Sequence, residues 1–131
     1  MAIRVVRLGT PRKPGEGLRL GTVRRPPRGV KKEDFARLDY YDLWLPALSP
    51  SQAVVGRAMS QAWTDARWAK FVKDYRREMS QPARKQLIEL LARMSHHADF
   101  SVGCYCEDER RCHRSILGKL LEEEGAKIDK W

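Results

Sequence analysis

Between Thr64 and Met94 apolar side chains recur at helical spacing, and short apolar runs that read as strands stand on both sides of that stretch. The alternation of strand-like and helical segments constrains the fold more than any composition figure. Ile3–Leu8 is β-branched and stops at Gly9; Leu18–Val23 alternates apolar and polar and stops at the proline pair that follows. Phe100–Cys106 is the third strand-like run. The intervening helices are marked at their starts, by Ser51 and Thr64 as N-caps and by Pro82 at a first helical position. Trp68, Phe71, Val72, Tyr75 and Met79 form one apolar stripe, and Leu87, Leu90, Leu91 and Met94 the next. A short helix is expected near Glu33–Leu38. A last helix runs from Arg114 and stops at Gly125, after which Ala126–Asp129 can add a short strand. Strands separated by helices predict an α/β fold, one compact domain over 1–131 with a small, largely parallel sheet flanked by helices.

The charge is uneven. Net charge is +9, and residues 1–37 hold eleven Lys and Arg against three acids, so +8 of it lies in that segment. Such a patch attracts phosphates, nucleic acid or an acidic partner. No apolar run is long enough to span a membrane, and the Arg-interrupted N-terminus does not read as a signal segment, so a cytoplasmic location is expected. In that compartment an odd, closely spaced set of cysteines argues against a disulfide framework.

All three cysteines lie in "CYCEDERRC", residues 104–112, and His113 and Arg114 follow directly. A strand that turns into a helix places this stretch where open α/β sheets usually carry their sites. Cys104, Cys106, Cys112 and His113 suit zinc by type but poorly by spacing, since the adjacent pair must diverge, and no metal is expected. Cys104 to Arg110 has the spacing of a phosphate loop, yet Glu107, Asp108 and Glu109 would repel the anion. Two readings stay open. Cys112 is a reactive thiol beside His113, Arg114 and a helix N-terminus, or the cysteines are small core residues.

"CYCEDERRCHRSIL" resembles the C-x5-CHR signature of the domain-of-unknown-function 488 family. Upstream, "GLRLGTVRRPPRGVKKEDFARLDYYDLWLPALSPS" is similar to the basic segment of its short YeaO-like branch, and "WAKFVKDYRREM" to that branch's aromatic helix. The matches run in order over about residues 18–121. They mark Arg24, Arg28, Gly29, Lys31, Trp44, Pro50, Ser51, Phe71, Tyr75, Glu78, Cys106, Cys112, His113 and Arg114. Val23 stands where members of the family tend to have Asp, Pro26 replaces an aromatic, and the Cys-His-Arg run is absent from most of that branch. The family implies a compact α/β fold and carries no agreed activity.

If the second and third strands are parallel, Arg24, Arg28 and Lys31 approach Cys106, Cys112, His113 and Arg114 at one sheet edge. The expected function is a thiol-dependent enzyme, or a binder of a phosphorylated small molecule, with Cys112, His113, Arg114 and Cys106 as reacting groups and Arg24, Arg28 and Lys31 as ligand contacts. The alternative is a non-catalytic nucleic-acid-binding module that uses residues 4–32. No cofactor and no membrane association is expected. Glu78 is expected to pair with an arginine, and His96-His97 to sit at a helix end.

Overall fold

The computed structural model describes residues 1–129. Four strands, β1 (Ile3–Arg7), β2 (Leu18–Gly21), β3 (Leu43–Trp44) and β4 (Phe100–Cys104), form one sheet in the order β1-β4-β2-β3, and every pairing is parallel. Four helices, α1 (Gln52–Met59), α2 (Asp65–Met79), α3 (Pro82–Met94) and α4 (His113–Glu123), complete the α/β fold. The register is set in the middle of the sheet, where Val102 pairs with Val5 on one side and Leu20 on the other. The expected terminal strand is reduced to one bridge between Ile128 and Ile3. Among the described residues no helix is long and apolar enough to cross a membrane.

Local signals explain most boundaries. The Ser51 and Thr64 hydroxyls accept from the N–H groups of Val54 and Arg67, and each helix begins at the next residue. Pro82 opens α3. Gly125, at φ 90°, ends the turn after α4, and the Ala126 N–H reaches back to Leu121 O. The helix expected near Glu33–Leu38 is a single 3-10 turn, Lys32–Asp34, followed by turns.

Two patterns map onto the fold differently from their appearance in sequence. On β2, Leu18 is 51% exposed while Arg19 is 1% exposed. Arg19 makes a bidentate ion pair with Glu16, itself buried, and donates to the carbonyls of Thr10 and Asp39. This pair fastens the loop by which the chain passes from β1 to β2, which are separated in the sheet by β4. On α3, the buried face is Ile88, Leu91 and Ala92, with Leu87 packed at its edge, whereas Leu90 and Met94 lie on the surface. The expected stripe was displaced by one position because Leu occurs on both sides of this helix and its buried face is narrow.

Two apolar clusters meet at the sheet. The larger centres on Leu20, Phe71, Tyr75, Val102 and Leu117. The smaller contains Val6, Leu8, Val23, Tyr41, Cys104 and Cys112, so two of the three cysteines are part of a core. Gly103, between them and β1, has no room for a side chain, since a Cβ there would lie 2.6 Å from Leu8 Cδ2 and 2.9 Å from Val6 O.

Candidate functional site

Cys104 ends β4, the strand flanked by β1 and β2, so the chain leaves the sheet at the carboxyl end of an interior strand. Tyr105, Cys106 and Glu107 lead to Asp108, whose carboxylate accepts the Arg110 N–H and caps a 3-10 turn over Glu109–Arg111. Cys112 then serves as N-cap residue of α4 without a side-chain capping bond. This tight return folds the three sulfurs together: all lie within 4.8 Å of one another, and Cys104 Sγ is 3.7 Å from Cys106 Sγ. Cys104 and Cys112 are buried and Cys106 is exposed.

Arg114 lies behind the sulfurs and is 4% exposed. Its Nη1 donates to Cys106 O at 2.5 Å, and it stands 3.5 Å from Cys104 O and 3.9 Å from Cys112 Sγ. Among the described residues no carboxylate comes within ion-pair distance of it. A buried guanidinium favours negative charge on the ionisable groups around it, which here are thiols. Hydrogen bonds from Cys104 and then Cys112 hold the Cys106 thiol well below the ordinary range, and the Arg114 charge adds to this against the opposing effect of burial. The protons stay on the donors: the hydrogen bond to Cys106 and burial push the Cys104 thiol up, while bonds to Cys104 and Cys106 push Cys112 up further.

His113, the first residue of α4, is also buried, and its Nε2 stands 2.6 Å from the Thr22 carbonyl, so Nε2–H donates there. Burial pushes its pKa down, which leaves a neutral ring with Nδ1 free of a proton. His113 is not part of the sulfur cluster, and it diverges from Cys112 as adjacent residues at a helix start must.

The sulfurs open into a cavity of about 620 Å³ between the β4–α4 turn, the segment after β2, and α1. Its inner end is Cys104, Cys106, Cys112 and His113. Val55, Met59, Trp63 and Phe71 form an apolar wall, and Arg24, Arg25, Arg28 and Arg111 also line it, with no Asp or Glu among the lining residues. Tyr105 fastens the arginine segment by donating to Arg25 O at 2.9 Å. Arg24 Nε contacts Pro50 O at 3.4 Å, whereas Arg111 is held by Asp65 and the face of Trp68.

The parallel pairing of β2 with β4 thus brings Arg24 and Arg28 to the same cavity as Cys106, Cys112 and His113. Arg114 sits beneath that surface, and Lys31 is exposed and does not line the cavity. Arg110, the last residue of the apparent phosphate loop, points to solvent with its side chain 90% exposed and pairs with Asp108. Among the described residues Glu78 makes no ion pair with an arginine; its Oε1 accepts the Ser51 N–H at 2.8 Å and supports the start of α1. His96 Nε2 lies 2.8 Å from Gly125 O and ties the ends of α3 and α4. Val23 packs with Cys104 and Cys112. Sequence reasoning missed Arg25 and Arg111 as lining residues and Trp63 as part of the wall; only the arginine pair at 24–25 carried a signal.

No curated protein and no solved structure matches the chain. A family model described as the active DUF488-N3 subclade matches residues 3–125. With that match spanning the sheet, all four helices and the cysteine turn, the chain belongs to the DUF488 family, in its DUF488-N3a group.

Proposed function

We propose that the protein is a thiol-dependent enzyme whose nucleophile is Cys106 and whose cavity takes a phosphorylated small molecule. The observation that carries this is the buried Arg114, without a carboxylate partner among the described residues, behind three clustered sulfurs, one of which opens to an arginine-lined cavity. A thiolate at Cys106 accepts S–H bonds from its two buried neighbours and is stabilised by the guanidinium, which favours attack at ordinary pH. His113, its ring oriented by Thr22, lines the same cavity and is the candidate base there. Arg24, Arg25 and Arg28 supply the cation set for a phosphate, and the apolar wall suits a ring or acyl body. Relative to the sequence-level expectation the nucleophile moves from Cys112 to Cys106, since Cys112 is 2% exposed.

A nucleic-acid module using residues 4–32 is less well supported. Arg4, Arg7, Arg12 and Arg19 are engaged by Asp129, Glu107, Asp42 and Glu16, so the basic segment does not present one free face. The test is protection: inorganic phosphate and nucleoside phosphates are expected to slow alkylation of Cys106 by iodoacetamide, and R24A to remove the protection. Equal alkylation with and without phosphate compounds contradicts the phosphorylated-ligand assignment.

A further inference from the structure

We propose that Cys104, Cys106 and Cys112 form a binding site for one thiophilic divalent cation of the zinc class, with its fourth coordination position open to the cavity. The proposal goes beyond the thiol-enzyme reading, because it concerns a second occupant of the same sulfurs.

Geometry carries it. Zinc–thiolate bonds are about 2.3 Å and tetrahedral, which puts adjacent sulfurs about 3.8 Å apart. Cys104 Sγ and Cys106 Sγ are 3.7 Å apart, and Cys112 Sγ lies within 4.8 Å of both. An ion can therefore be seated with small side-chain adjustment of Cys112 alone. Cys104 ends β4, Cys112 is the N-cap residue of α4, and Cys106 lies in the short turn between them, where Arg114 holds its carbonyl. All three line the cavity, so a fourth ligand can approach the sulfur triangle from that side.

Charge agrees. A divalent cation with three thiolates carries one net negative charge, and buried Arg114 supplies the matching positive one beside Cys112 Sγ and the Cys106 carbonyl. Loading releases the protons of those cysteines that still hold them, and no electrons move. His113 stays outside the set because Thr22 holds its ring. Three protein ligands and an open position are the arrangement of zinc sites that bind a water or a substrate atom rather than purely structural ones.

The test is a cobalt titration of the reduced 131-residue chain. One equivalent of Co2+ should produce sulfur-to-cobalt charge-transfer absorption with the intense ligand-field bands of a tetrahedral site, and Zn2+ should displace it. C106S, at an exposed position that leaves the core intact, should weaken Co2+ binding by at least the roughly tenfold that loss of even an outer-shell partner costs. C104A, an apolar replacement at a buried position, should act in the same way. Absence of the charge-transfer band at stoichiometric cobalt, or an unchanged band in C106S, overturns the proposal. Failure here leaves alkylation of Cys106 in metal-free protein unaffected, and an ordinary alkylation profile leaves the cobalt titration unaffected, so the two assignments fail separately.

Discussion

Arg114 donates to the Cys106 carbonyl from beneath the site, and no carboxylate among the described residues shares it. The relationship links the fold to its chemistry: Arg114 lies in the first turn of α4 and Cys106 just beyond the end of β4, so one cation fastens the strand-to-helix return and adds to the sulfur hydrogen bonds that hold the Cys106 thiol low. R114M keeps the volume of the side chain and removes the cation. The Cys106 thiol pKa should rise by about one unit or more, read as a shift in the pH dependence of alkylation. An unmoved profile with a folded protein would remove Arg114 from the chemistry.

The Glu16–Arg19 pair should matter for stability alone. Both side chains are 1% exposed, so E16Q leaves a buried guanidinium without its charge partner. Loss of one partner of a buried pair costs about 3–5 kcal/mol. Urea unfolding should show a lowered midpoint of that order, while Cys106 alkylation in the folded protein keeps its rate.

Arg24 and Arg28 should separate ligand affinity from folding. Arg28 is exposed and Arg24 half-buried, and neither has a carboxylate within ion-pair distance among the described residues. Each Arg→Ala change removes charge-assisted hydrogen bonds to a phosphate, worth about 1.5–3 kcal/mol. Binding of a nucleoside monophosphate should weaken about tenfold or more for R24A and lose part of its salt dependence, with unfolding midpoints little changed. Unchanged affinity in both variants would detach the arginines from ligand binding.

His113 makes stability fall toward acid pH. Burial lowers its folded pKa, so the unfolded chain binds the proton more tightly. The folded state therefore loses stability as pH drops below about 6.5, the unfolded value, and the loss grows until the folded pKa is reached. At the alkaline end the raised thiol pKa values of Cys104 and Cys112 act the other way, because unfolded cysteines ionise above about 8.5 while the buried ones keep their protons. The depressed Cys106 thiol also costs stability as pH falls below its unfolded value of about 8.5, so H113Q should lessen the slope that sets in below about 6.5 rather than abolish the acid limb. The same acid slope in H113Q would place the responsible proton elsewhere.

Much of the fold was legible because its signals are local. Ser51, Thr64, Pro82 and Gly125 act through hydrogen bonds or backbone angles within a few residues, and each marked a boundary correctly. The parallel sheet was expected from helices between strands, which holds only for the helices ahead of β4. A loop separates β1 from β2 and a 3-10 turn lies between β2 and β3, and the β2–β4 pairing still brings Arg24 and Arg28 to the cysteines. What stayed hidden depends on distant partners. Arg19 reads as the polar side of a strand until Glu16 and two loop carbonyls enclose it. Glu78 finds the Ser51 N–H, 27 residues away, rather than an arginine. The order of the cysteines by exposure depends on the 3-10 turn at Glu109–Arg111, which buries Cys112 and turns Cys106 outward. No spacing rule in "CYCEDERRC" distinguishes those two.

The most direct measurement is the pH profile of iodoacetamide labelling on reduced, metal-free protein, with each modified cysteine assigned by peptide mass. Cys106 should be labelled first and well below pH 8.5, with Cys104 and Cys112 protected until the chain unfolds. Labelling that follows an ordinary thiol profile near about pH 8.5, or that falls on Cys112 before Cys106, contradicts a thiolate held at Cys106.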